Sequence, residues 1–258
     1  MHKCEIFSDI FAQKKSPVTG IDARIKLVFA LLALLVSLLS LKTYVPLAIA
    51  ALCLIALISI RIPVVLLILR LAVPLFMAGV VLMTQLFLNG VTPLFTVDLG
   101  IFRLTGYEEG LAQGLLIMSR VIGGMLVLLL LTMSTPAHEL FLAARWLKMP
   151  KSFVELALLV YRYIFVLADE VAVIRNAQKV RLGYRGWSRV MGSTIVLGGS
   201  LVLRSYDRAE RVFEAMLVRG YSGAIGAIYQ QRLQRNDYLT AIVLSALMAS
   251  LFLVGRFT

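Results

Sequence analysis

The chain has 258 residues, of which 60% are hydrophobic and only 16% charged, at a mean hydropathy of +0.90. That is too little polar surface to wet a globular protein all round, so a membrane protein is expected. The formal charge of +12 raises nucleic-acid binding, but membrane proteins also concentrate Lys and Arg on the cytoplasmic side, and the distribution along this chain fits that rule better.

The opening "MHKCEIFSDIFAQKKSPVTG" lacks the apolar core of a cleavable signal, so the first span is expected to stay as a helix. His2 and Cys4 read as a frayed terminus, and with Cys53 they form neither a zinc spacing nor a disulfide framework. Uncharged runs at 27–41, 43–60, 71–97, 110–119 continuing past Arg120 to 138, and 238–255 predict five spans. Most approach the roughly 20 residues that a crossing needs. The first two fall short and are separated by Lys42 alone, which predicts a tight helical hairpin. Lys3, Lys14, Lys15, Arg24 and Lys26 precede the first span and Arg61 follows the second. The 89–109 connection instead carries Asp98, Glu108 and Glu109 against Arg103. The N-terminus is therefore expected inside, with the acidic loop and the C-terminus outside. In "VIGGML" from Val121, the glycines let helices approach closely. In "STPAHEL", Thr135 suits an N-cap, Pro136 the first helical position and Glu139 the first turn, so His138 belongs to a helix start.

The fold class that follows is an all-α membrane protein. Its expected parts are an N-terminal tail with four spans over 1–133, cytoplasmic or interfacial helices over 134–237, and a last span over 238–258. The middle part holds 15 Lys and Arg against 8 Asp and Glu. Within 151–174, Glu155, Arg162 and Asp169 recur every seven residues, which predicts one narrow charged stripe on a helix, turned to water or a partner. The 190–203 run is short for a span and contains Gly192, Gly198 and Gly199, which predicts a buried helix or helical turn.

Two segments repeat each other. "NAQKVRLGY" sets Ala177 four residues before Arg181, with Gly183 and Tyr184 following, and "EAMLVRGYSG" sets Ala215 four before Arg219, with Gly220 and Tyr221 following. Positions i and i+4 share a helix face, so each small alanine leaves room for a partner one turn behind its arginine. Gly220 suits a C-terminal cap and Gly183 stands one residue further from its arginine. Along 204–219, Tyr206, Ala209, Phe213 and Met216 or Leu217 form an apolar face, and Asp207 and Arg211 an i to i+4 pair on the wet side. An arginine at a helix end can merely complement its own helix dipole. Two copies favour docking onto carboxylates of a soluble partner.

These residues, with "DARIKL" before the first span, "KMP" at 148–150, "RY" at Arg162 and Tyr163, and Glu170, resemble the EcfT/CbiQ family of transmembrane T components of energy-coupling factor transporters, the cobalt branch above all. The resemblance implies a coupling subunit that docks two ABC ATPase subunits through Ala177, Arg181, Gly183, Ala215, Arg219 and Gly220, supported by Arg162, Glu170 and Arg211. It also implies a CbiM-like substrate-binding membrane subunit, a small accessory membrane subunit and surrounding lipid as partners, in a prokaryotic plasma membrane. No nucleic acid, cofactor, resident metal or catalytic residue is implied. Cobalt is the expected cargo, with nickel or a vitamin as alternatives. A membrane-embedded enzyme using Arg120 and Arg162 as anion binders is the rival from another class, and it lacks a nucleophile, a base and a metal site.

Overall fold

The computed structural model describes residues 21–60, 64–88, 92–98, 103–223 and 235–257. In chain order these form α1 Ala23–Leu39, α2 Tyr44–Ser59, α3 Val64–Leu88, β1 Pro93–Asp98, β2 Arg103–Tyr107, α4 Glu108–Ser134, α5 Ala137–Trp146, α6 Lys151–Val180, α7 Trp187–Val218 and α8 Arg235–Phe257. They divide into two compact units, one holding the described residues up to 140 and from 235 onward, the other those from 141 to 223.

The first unit contains the five apolar helices α1–α4 and α8. Three have the length and apolarity to cross a membrane: α3, α4 and the 237–255 stretch of α8. α1 and α2 have 17 and 16 residues and are the short pair expected from the sequence. The helix α4 is central and packs against α1, α2 and α3. Its glycines explain how. A Cβ added at Gly123 would stand 2.9 Å from the Pro46 carbonyl oxygen of α2, and one at Gly124 would stand 3.4 Å from Leu34 of α1. Ala30, Ala33, Val45, Ile49, Cys53, Leu126, Val127 and Met133 fill the resulting core.

Two cations lock α1 to α4. The Lys26 ammonium, buried near the start of α1, donates to the Ser134 carbonyl at 3.0 Å, where α4 ends. The Arg120 guanidinium, midway along α4, donates to the Ser40 carbonyl at 2.6 Å, where α1 ends. The two helices run antiparallel, and each supplies a positive charge to carbonyls that the other's last turn leaves without a partner. One nitrogen of Arg120 therefore serves a helix terminus, while its buried Nε has no hydrogen-bond partner among the described residues. The "DARIKL" entry has a matching local logic. Asp22 caps α1 by accepting from the Arg24 amide at 2.9 Å, which orients the turn that carries Lys26.

The acidic connection differs from an irregular loop. β1 and β2 pair antiparallel from Pro93 opposite Tyr107 to Asp98 opposite Arg103, with an irregularity in register between Pro93 and Phe95. The β-branched residues Thr96, Val97 and Thr105 in these short stretches are the signal that reading the segment as a connection passed over. The start of α5 also differs by one residue. Thr135 closes α4 by donating its amide to Leu131, and the Pro136 carbonyl receives the first bonds of α5, from Glu139 and Leu140.

In the second unit, Lys148 takes a positive φ of 66° between α5 and α6, and the Pro150 carbonyl then accepts from Phe153 and Val154. The "KMP" stretch is thus a turn and a helix start. Two expectations fail here. Glu155 is buried while Arg162 and Asp169 are exposed, so the seven-residue stripe is not uniformly wet. Its first member lies in the opening turns of α6 beside Val154, which is also buried, and Phe141 of α5 stacks edge-on with Tyr161 at 6.1 Å. Nor is 190–203 a separate buried helix. It belongs to α7, which runs 32 residues unbroken and has no buried residue. A Cβ at Gly192, Gly198 or Gly199 would meet nothing within 4 Å. Each internal glycine weakens a helix by only about 1 kcal/mol, and no proline interrupts the segment.

Candidate functional site

Arg181 and Arg219 both occupy the C-cap position, of α6 and α7 respectively. Their amides donate to the carbonyls of Ala177 and Ala215, each at 3.3 Å, so the repeated alanine is the hydrogen-bond partner of its arginine. Ala177, Arg181, Ala215, Arg219 and Gly220 are all exposed.

The two ends close in the same way. After α7, the Gly220 amide donates to Leu217 at 3.0 Å and the Tyr221 amide to Met216 at 3.0 Å. After α6, the Leu182 amide donates to Lys179 at 3.1 Å and the Gly183 amide to Gln178 at 2.9 Å. Both are the paired bonds of a Schellman ending. The left-handed residue that such an ending needs is Gly220 in one, at φ 80°, and Leu182 in the other, at φ 58°. The displaced glycine of the first copy is therefore no break in the pattern, because leucine takes the strained position. Gly183 is needed for another reason: a Cβ there would lie 2.6 Å from the Ser193 hydroxyl oxygen.

A left-handed leucine costs about 1 kcal/mol relative to glycine, through its Cβ. Leu182 is 55% exposed and gives up little packing. Leu182→Gly is thus expected to raise the thermal midpoint of the purified chain by the equivalent of about 1 kcal/mol, and Gly220→Ala to lower it similarly. An unchanged or lowered midpoint for Leu182→Gly would mean that its side chain, not its backbone, sets the balance.

A polar network fixes the turn between the helices. The Gln178 side-chain amide donates to the Ser193 carbonyl at 2.9 Å, Tyr184 donates to Gln178 Oε1 at 2.8 Å, and the Ser193 hydroxyl donates to the Gly183 carbonyl at 2.8 Å. Further along, Arg208 of α7 forms an ion pair with Glu170 of α6. These two residues are also 38 apart, each seven before the alanine of its own copy. Asp207 and Arg211 of the same helix are both exposed. Arg162 is exposed on α6 as well.

Beyond the ion pair, α6 and α7 border a groove of about 550 Å³ lined by Glu155, Leu159, Tyr163, Ala209, Phe213 and Met216 among others. The apolar face read along 204–219 is therefore present and open, with Tyr206 and Phe213 exposed. These contacts make α6 and α7 an antiparallel hairpin. Arg181 stands at its turn and Arg219 at its far end, on the order of 40 Å apart along helices that rise 1.5 Å per residue. Among the described residues, no three of His, Cys, Asp and Glu gather as a metal site would require.

Residues 14–229 match the model of a family described as cobalt transport protein, CbiQ. The chain belongs to that family. It is 33% identical over 213 residues to a putative fused cobalt transport protein CbiMQ of Methanocorpusculum labreanum, across 81% of this chain and 36% of that one. An uncharacterized protein of Methanocaldococcus jannaschii is 32% identical over 80% of this chain and 77% of its own length. An energy-coupling factor transporter transmembrane protein EcfT of Listeria innocua is 33% identical over 50% of this chain and 52% of its own. The CbiQ and EcfT proteins are membrane components of transporters and not an enzyme family, and the resemblance read from the residues points to the same family.

Proposed function

We propose that this chain is the coupling subunit of an energy-coupling factor importer for cobalt, carrying ATP-driven movement from two cytoplasmic ABC ATPase subunits to a CbiM-like substrate-binding membrane subunit. The observation that carries the reading is the duplicated helix end, in which an exposed arginine caps each of two helices through the same backbone motif at opposite ends of one hairpin. Two equal docking points suit two copies of one kind of ATPase. Ala177, Gly183, Ala215 and Gly220 shape those points, and Arg162, Glu170 and Arg211 belong to the same hairpin. The family description supports cobalt over nickel or a vitamin. A tagged chain drawn from its native membrane should bring down an ATPase and a substrate-binding membrane protein, and the assembly should take up cobalt with ATP. Recovery without an ATPase overturns the coupling role; uptake of nickel but not cobalt overturns the cargo alone.

The orientation we assign puts the N-terminus and both arginine ends in the cytoplasm and the β1–β2 hairpin outside. In a background lacking Cys4 and Cys53, a membrane-impermeant thiol reagent added to intact cells should label Asp98→Cys and miss Glu210→Cys, and the reverse pattern inverts the topology.

A further inference from the structure

Arg181 and Arg219 share a backbone motif, but their surroundings differ in charge. From 171 to 206 the chain has no acidic residue. Around the first end, Arg175, Lys179, Arg185 and Arg189 are exposed together with Arg181. The stretch of α7 that leads to Arg219 instead carries Asp207, Glu210 and Glu214, all exposed, against Arg208 and Arg211. One end is therefore strongly basic and the other nearly balanced.

The start of α7 adds to the difference. Its first turn has no acidic residue, and Arg189 stands near that end with Arg185 just before the helix. Both oppose the positive end of the helix dipole, so neither serves the stability of its own helix. Between them Trp187 is 81% exposed, and residues 185–189 line a recess of about 460 Å³. An uncovered indole flanked by guanidiniums is a costly arrangement in water, and tryptophan and arginine are the residue types that carry most of the binding energy in protein interfaces. The hydrogen bonds joining Gln178, Tyr184, Gly183 and Ser193 hold the whole turn in one shape. A partner seated on Arg181 thus meets 185–189 ready-formed, without the entropy of ordering a loop.

We propose, resting on the coupling role assigned above, that the two ATPase docking points are unequal and that the α6–α7 turn is the stronger. Trp187 fills an apolar recess of the ATPase, Arg185 and Arg189 pair with carboxylates around it, and a second ATPase subunit binds more weakly at Arg219. The test uses the full chain in lipid nanodiscs, titrated without ATP with the ATPase subunit recovered from its native membrane. Two classes of site should appear, and the tighter should weaken steeply with added salt. Trp187→Ala should weaken that class about ten- to thirty-fold, with helical circular dichroism unchanged. Arg185→Gln with Arg189→Gln should slow its association and flatten its salt dependence. Arg219→Ala should remove the weaker class and leave the tighter one. The chain has two tryptophans, so Trp146→Phe with 5-fluorotryptophan labelling gives Trp187 a single fluorine resonance. That resonance should shift on the first equivalent of ATPase. One class of site in the parent, or a tight class unchanged by Trp187→Ala, overturns the proposal and leaves the coupling role standing. A fluorine resonance that moves with the lipid composition of the disc but not with ATPase also overturns it, assigning the indole to the bilayer. A parent that binds no ATPase removes the coupling role and the proposal together.

Discussion

Replacing both Arg181 and Arg219 with alanine is expected to abolish ATP-dependent metal uptake while the membrane helices still fold. Both side chains are exposed and lie in the second compact unit, so neither contributes to the core built around α4. Their removal costs the free chain little beyond a favourable charge at a helix C-terminus, typically below about 1 kcal/mol. Docking is a different matter. A guanidinium fixed at a C-cap can meet a groove carboxylate through two parallel hydrogen bonds, which lysine's single ammonium does not reproduce. Removing one member of such a desolvated pair costs on the order of 2 to 5 kcal/mol, because the partner charge is left buried. Arg219→Ala alone should therefore weaken ATPase association, Arg219→Lys should restore only part of it, and the double change should stop uptake. Ala215→Leu should act in the same direction by filling the space one turn behind Arg219. ATPase pull-down and cobalt uptake, on membranes with matched expression, measure all four. Wild-type uptake in the double variant would reduce both ends to solvated helix termini.

The parts of the molecule legible in the sequence were those governed by local rules. Long uncharged runs led to α3, α4 and α8, and the i to i+4 spacing of Ala215 and Arg219 is realised as an amide bonded to its carbonyl. Gly123 and Gly124 could be read as close-approach positions because membrane helices have few other ways to pack tightly. The failures have a common physical cause, which is that the deciding contact lies far away along the chain. Nothing near Lys26 or Arg120 reveals that each closes a helix end, since their partners are 108 and 80 residues away. Glu155 reads as one of three equivalent charges until the fold buries it. The left-handed Leu182 was hidden by the reverse habit, because glycine is the residue searched for at that position.

The Glu170–Arg208 pair should separate force transmission from docking. It joins α6 to α7 between the two arginine ends, and neither residue is freely solvated: their side chains are 20% and 35% exposed. Removing one partner leaves the other charge half-buried, which for a hydrogen-bonded ionic pair of intermediate burial costs roughly 1 to 3 kcal/mol. Arg208→Met retains both docking arginines, so ATPase pull-down should stay near wild type. The hairpin would no longer be tied at that point, and a displacement imposed at Arg219 should be absorbed by sliding α7 against α6. ATP hydrolysis by the assembled complex should continue while cobalt taken up per ATP falls several-fold. The exchanged pair, Glu170→Arg with Arg208→Glu, restores an attraction across the same contact and should recover part of the coupling, whereas each of its single changes alone should not. An unchanged uptake-to-hydrolysis ratio in Arg208→Met would show that the hairpin transmits movement without this tie. Loss of ATPase binding in that variant would show instead that the pair shapes the docking ends themselves.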